Sequence, residues 1–460
     1  MIRIQKSRIC SSSQLACIFL ASLALLATPV AAHADALSDW NAIAIFIIAN
    51  APCTAAPCGS PPPPPLHPGA SSFIDSAMVE AAVYDAVESY SGRFRPYAIH
   101  VPGASGSIDA AVATAAHDVL VHQFPSVASS IDTIYGNYLP THFLIGDPGI
   151  GVGAAAAATL IAQRNGDGSF PNCSPLPPPP LLARCDFVGG NNIGEWRPTL
   201  PAFAHMLAPW LAITTPFTLK SPSQFRPVAP PPLTSNRYAT AYNEVKTLGG
   251  DLLHNSRTTE QTNTALFYFA NYLILWNRAA RDIGDAQHLN VDDRARLFAL
   301  VNLAMTDAVI TAWDTKLHFA FWRPITAIQQ GDNDGNPDTA GDPTWLPLIP
   351  TPNYPDYTSG ANNVTGAATR AFALFFGSDE MDFTLHTTNA AAPVQTFDYH
   401  RFSDVAHDVV SARIWEGIHF RFADVQARKQ GRHVAQWVFG HFLRSGDADE
   451  QDDHDEGDDE

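Results

Sequence analysis

Cysteine is scarce in this chain, with six in 460 residues. Cys10 and Cys17 fall in an N-terminal apolar segment, which leaves two local pairs, Cys53 with Cys58 and Cys173 with Cys185. Four cysteines allow three pairings, and the local one is expected, because short loops close readily in an oxidising compartment. No Cys–His spacing of the zinc-binding kind accompanies them, which argues against a structural metal. Positive charge is also scarce, 27 Lys and Arg against 45 Asp and Glu. Setting aside the ten carboxylates of 447–460 and the three cations of the N-terminal segment still leaves 35 against 24. An acidic body argues against general nucleic-acid binding. After residue 34 no apolar stretch is long enough to span a bilayer, and no segment from 35 to 164 shows sustained strand alternation.

What is present begins with Arg3, Lys6 and Arg8, a mostly apolar run from Leu15 to Val30, and Ala32-His33-Ala34. That order is a secretory signal peptide over 1–34, so the mature protein is expected to be exported, periplasmic or extracellular. Helical periodicity is predicted over Asp35–Asn50, Ser71–Tyr90, Ser107–Phe124, Val127–Leu139, Gly151–Arg164, Arg237–Leu248, Thr258–Asp282 and Val291–Trp313. Thr258 with Gln261 has the form of a capping box. Proline interrupts at 51–69 and through 167–235, where Trp and Phe among the prolines favour docking over a free linker. Length permits two or three domains, but continuous helices favour one all-α body of helical bundles. It is divided here into an N-terminal region 35–235 and a C-terminal bundle 236–446. The acidic end 447–460 cannot build a core and is expected to be disordered. In 331–343, Asp332, Asp334, Asn336 and Asp338 alternate as calcium ligands would, but the loop lacks Gly at its sixth position and Glu at its twelfth. An acidic surface loop is the expectation there.

Three clusters organise the C-terminal half. Lys316 and Arg323 are seven residues apart, which on one helix aims both cations from one face. Such a pair needs an anion or a carboxylate, and Asp314 is the nearest candidate. Next, Ser359, Gly360 and Asn362 stand at the predicted start of a helix over Ala361–Phe376, where free N–H groups bind anions. The third cluster, within a predicted helix over Asp404–Arg421, places Arg413 and His419 about 120° apart. Taken singly, each cluster also suits a solvated basic face, an ordinary cap or a structural side chain. Their order is the specific feature.

That order resembles the vanadium-dependent haloperoxidases and the wider type 2 phosphatidic acid phosphatase superfamily. Lys316 precedes Trp322-Arg323-Pro324-Ile325-Thr326, Ser359-Gly360 follows, and Arg413 precedes Gly417-Ile418-His419-Phe420-Arg421-Phe422. The resemblance extends from about Asp35 to Gly440 and is looser outside the motifs. It implies paired helical bundles and a pocket in which Lys316, Arg323, Arg413, Ser359 and the Gly360 N–H hold the oxygens of vanadate or phosphate. It implies that His419 is the axial vanadium ligand, or the nucleophile of a phosphatase. Vanadate would then act as a Lewis acid toward hydrogen peroxide, with halide as the reductant. In a phosphatase, the partner would be a phosphate ester. Three positions depart from the family pattern. Thr358 stands where the family has Pro, Ala412 separates Ser411 from Arg413, and Ala361 replaces the His that serves as acid–base. Such a group is worth about 10²–10⁴ in rate. His318, His386, His400 and His407 are alternatives that the sequence does not rank. The readings carried forward are a haloperoxidase, an acid phosphatase, and an oxyanion binder without turnover.

Overall fold

Short polar residues fix where the helices begin. Asp35 accepts the N–H of Ser38 and opens α1, Ala36–Asn50. Ser107 caps α3, Ile108–Gln123, and Ser235 caps α6, Asn236–Leu248. Each such bond satisfies one of the N–H groups a helix leaves unpaired at its start. Between these lie α2, Ser72–Ser91, α4, Ala128–Thr141, and α5, Gly149–Arg164. The structure, a computed structural model, describes residues 35–54, 65–173 and 185–446. The expected signal peptide, 1–34, and the acidic end expected to be disordered, 447–460, lie outside the described residues.

The predicted capping box is present. Thr258 Oγ1 accepts from Gln261 N, and Gln261 Oε1 accepts from Thr258 N. The helix it opens, α7, Thr259–Tyr268, stops short of the single helix predicted to Asp282. Asn271 then caps α8, Tyr272–Ala286, with its side chain on the N–H groups of Leu273 and Ile274. Helical periodicity runs through the break, so a local reading joined the two.

At the centre is α9, Val291–Phe319, whose residues from Leu297 to Lys316 are all buried. It passes the length and hydropathy test for a membrane span, yet 94% of its apolar window is buried inside the protein. Each fully buried Leu, Ile, Val or Phe contributes about 1.5–3 kcal/mol relative to exposure. Helix α2 packs along one side of α9, with α3 and α5 packed on α2 and α1 against α2 and α3. The other side carries α11, Gly360–Phe376, and α13, Arg421–His441. A short α10, Pro324–Gln329, follows α9, and α12, Phe402–Trp415, precedes α13. Two strands, Glu380–His386 and Thr396–Arg401, form an antiparallel hairpin pairing Phe383 with Tyr399 and Leu385 with Phe397. The predicted all-α class holds with this one addition.

The proline-rich passage docks on the helices. Trp196 is fully buried and its N–H donates to Ala320 O. Asp307, buried in α9, accepts from the N–H groups of Phe217, Thr218 and Leu219. Asp314 forms a two-pronged pair with Arg226 (2.7 and 2.6 Å), so it is not the partner of Lys316 and Arg323. Cys173 and Cys185 are joined in a disulfide as expected. Cys53 is disulfide-bonded too, and its expected partner Cys58 lies outside the described residues. In the acidic loop, Asp334 accepts from Thr339 and Asn336, and Asn336 Nδ2 donates to Leu233 O. Those side chains hold the loop's own turns.

Candidate functional site

Two predicted geometries are corrected. Lys316 and Arg323 do not share a helix. α9 stops at Phe319, Ala320 turns left-handed at φ +42°, and Arg323 becomes the N-cap residue before Pro324, which has no N–H to continue a helix. Arg413 and His419 do not share one either, because α12 ends at Trp415. Gly417 makes the turn at φ +80°, where a Cβ would meet Gly249 O at 2.2 Å. The chain reversals achieve what one helix face could not. They bring the side chains to a common buried centre.

Lys316 is fully buried, and its Nζ donates to Pro355 O (2.7 Å) and Asp356 O (3.2 Å). Arg323, also fully buried, donates from Nε to Tyr354 O (2.7 Å) and from Nη1 to Ile418 O (2.7 Å). The same Nη1 lies 3.0 Å from His419 Nε2. A guanidinium has no lone pair to offer, so Nε2 must accept. The imidazole proton therefore sits on Nδ1 and is donated to Asp356 Oδ1, 2.7 Å away. The Tyr354 ring lies under both cations, with Lys316 Nζ and Arg323 Cζ each 4.8 Å from its centroid.

The charges are coupled. Burial, then Arg323, Lys316 and Arg413, hold His419 well below the usual imidazole range, so it is neutral. Burial and the charge of Arg323 likewise push Lys316 down. Burial lifts Asp356 to about 7 against the pull of Arg323 and Lys316. Arg413 ion-pairs Glu416 at 2.7 Å, and burial lifts Glu416 to about 7. Asp424, raised by burial and by Asp356, accepts from Asn362 Nδ2 at 2.8 Å.

Ser359 and Gly360 stand at the start of α11 as predicted, and the Ser359 side chain makes no capping bond to its own helix. One departure from the expected motif, Thr358, has a structural use here. Thr358 Oγ1 donates to Gln430 Oε1 (2.8 Å) and accepts from Asn363 Nδ2 (3.0 Å), tying α11 to α13. Ala361 lines a cavity of about 430 Å³ together with Gly360, Arg413, Tyr272, Tyr354 and Trp313. Lys316, Arg323, Ser359 and His419 are not among its lining residues, and neither are His318, His386, His400 and His407. His400 instead sits on the exposed Asp382, and His318 packs edge-on against Phe319.

An oxyanion fits this donor set. Arg323 Nη2 and Arg413 Nε are buried without a hydrogen-bond partner. Arg323, Lys316 and Arg413 all act electrostatically on the neutral His419, and Gly360 at the start of α11 shares a cavity with Arg413, an arrangement suited to neutralising an anion's oxygens. Among the described residues no cluster of three or more His, Cys, Asp and Glu could hold a metal cation. Sequence reasoning missed Asp356, Glu416, Asp424, Tyr272 and Tyr354. Glu416 was visible three residues after Arg413. The others carry no local signal, since their roles follow from burial.

Residues 296–447 match the family of VCPO second helical-bundle domains. A stretch of 89 residues is 45% identical to the vanadium chloroperoxidase of Curvularia inaequalis, 17% of this chain and 14% of that protein. The chain thus matches a minor part of that relative's length. The first bacterial vanadium-dependent iodoperoxidase superposes with a TM-score of 0.69 at 20% identity, over 89% of this chain and 96% of that one. An apo-type bacterial vanadium-dependent chloroperoxidase superposes with a TM-score of 0.65 at 18% identity, over 81% and 92%. These likenesses establish the fold. Residues 296–447, which carry Lys316, Arg323, Arg413 and His419, thus match a VCPO second helical-bundle domain, and the chain shares the fold of the solved vanadium-dependent haloperoxidases.

Proposed function

We propose that this chain is an exported vanadium-dependent haloperoxidase-like enzyme that oxidises halide with hydrogen peroxide. The observation that carries it is His419, neutral and protonated on Nδ1, with its Nε2 lone pair beside Arg323. Bound vanadate would supply a Lewis-acid centre that activates peroxide toward a halide. The residues of this chain do the rest. Lys316, Arg323 and Arg413 would neutralise the oxyanion, Ser359 and the Gly360 N–H would orient it, and His419 Nε2 would hold it. Asp356 holds the Nδ1 proton, so that the imidazole keeps one tautomer and one orientation. Phe73, Val309, Trp313 and Val364 give the cavity apolar walls beside Arg413.

The same Nε2 would serve as a nucleophile toward a phosphate ester, which is the second reading. Ala361 favours a third, in which the oxyanion is bound without turnover. The test is halide oxidation by the purified chain with added orthovanadate and hydrogen peroxide, beside hydrolysis of an aryl phosphate without vanadate. Oxidation that depends on vanadate supports the proposal. Hydrolysis inhibited by vanadate, with no oxidation, replaces it with the phosphatase. Vanadate binding with neither activity leaves the third.

A further inference from the structure

A second concentration of cations lies away from His419. A cavity of about 310 Å³ is lined by Arg370, Arg428, Arg432, His407, Asp379 and Ser403, with small residues between them. Arg370 leaves α11 ten residues beyond Gly360, about 15 Å along the helix. Arg428 and Arg432 leave α13 one turn apart. Among the described residues, none of the three guanidinium groups has a hydrogen bond or an ion pair, and Arg370 Nε is buried without a partner.

These arginines repel one another. Arg370 and Arg428 are each held below the usual guanidinium range, by burial first and by the charge of Arg432 next. Asp379 pulls Arg370 the other way. Its carboxylate is already occupied, accepting from the N–H of Ser403 at 3.0 Å and from Ser403 Oγ at 2.5 Å. One engaged carboxylate therefore faces three guanidinium groups in a protein of formal charge −18. Like charges gathered at a partly buried concavity are unfavourable until an anion joins them. Guanidinium forks are matched in geometry to the paired oxygens of phosphate groups.

We propose that this basin is a second oxyanion site, distinct from the one at His419, for a small ligand with two or more negative charges on phosphate-type oxygens. The probe is inorganic pyrophosphate, titrated calorimetrically into the full chain at low ionic strength. Wild type binds it, and binding weakens as salt is raised. R428Q/R432Q weakens it by about tenfold or more, through loss of two charge-assisted contacts, and leaves orthovanadate binding unchanged. R432Q alone, an exposed position where the fold is not at risk, weakens it in the same direction. R413Q, which alters the His419 centre, leaves the basin's binding intact. Equal binding in wild type and R428Q/R432Q, or loss of all pyrophosphate binding in R413Q, overturns the proposal.

Discussion

Asp356 Oδ1 lies 2.7 Å from His419 Nδ1, between residues 63 positions apart in the chain. The bond selects the tautomer that leaves Nε2 free to accept, and it links the proline-rich approach to α11 with the turn before α13. In D356N the amide can present its oxygen or its NH₂ to Nδ1, and the selection is relaxed. Loss of such an outer partner costs about 10–100-fold in affinity or activity. D356N is expected to weaken orthovanadate binding by that factor, measured by titration, with its thermal transition recorded in parallel. Unchanged affinity would reduce Asp356 to a packing role.

Ala361 faces the 430 Å³ cavity beside Arg413, so an imidazole at this position has room. A361H is expected to raise vanadate-dependent halide oxidation by about 10²–10⁴, the usual worth of a positioned acid–base. The new pH–rate profile should carry a limb that the parent lacks. An equal rate in A361H and the parent would mean that proton transfer is not what limits turnover.

The start of α11 depends on how closely α13 approaches. A Cβ at Gly431 would meet Asn363 O at 2.0 Å, and one at Gly366 would meet Arg428 O at 2.4 Å, both backbone atoms that cannot rotate away. G431A must therefore push the helices apart. Overpacking of this kind costs about 1–3 kcal/mol. The expected result is a lower denaturant midpoint together with weaker vanadate binding, because Asn363 follows Ser359 and Gly360 on the displaced turn.

Glu80 gives the stability a pH dependence far from the site. Its carboxylate accepts from Asn41 Nδ2 at 2.8 Å. Burial lifts it from 4.5 to about 7, against the pull of Asn41 and Arg281. The folded value lies above the unfolded one, so the native state holds the proton more tightly. That contribution is full below 4.5 and is lost as pH rises through about 7. E80Q should remove the loss, becoming more stable relative to wild type as pH rises from about 5 to about 8, by on the order of 3 kcal/mol at most. Chemical denaturation at both pH values checks it. Asp75 and Asp85, each lifted by burial to about 6, keep a smaller slope of the same sign in the variant.

Residues near one another in sequence already determined the helical class, the caps at Asp35, Ser107, Ser235 and Thr258 and the local Cys173–Cys185 bridge, and the order of motifs offered Lys316, Arg323, Ser359, Gly360, Arg413 and His419 as one candidate set. Periodicity and capping are short-range effects, and ordered motifs survive in the linear chain. What the linear chain did not decide was how that set is assembled. Lys316 and Arg413 leave from helix ends, reversals at Ala320 and Gly417 redirect the chain to Arg323 and His419, Asp314 is taken by Arg226, and Asp356, which the sequence did not single out, stands beside Arg323 and His419. A carboxylate becomes a partner, and a histidine becomes neutral, when packing removes water from both. That removal belongs to the contacts of α9, α11 and α13, and no stretch of sequence contains it.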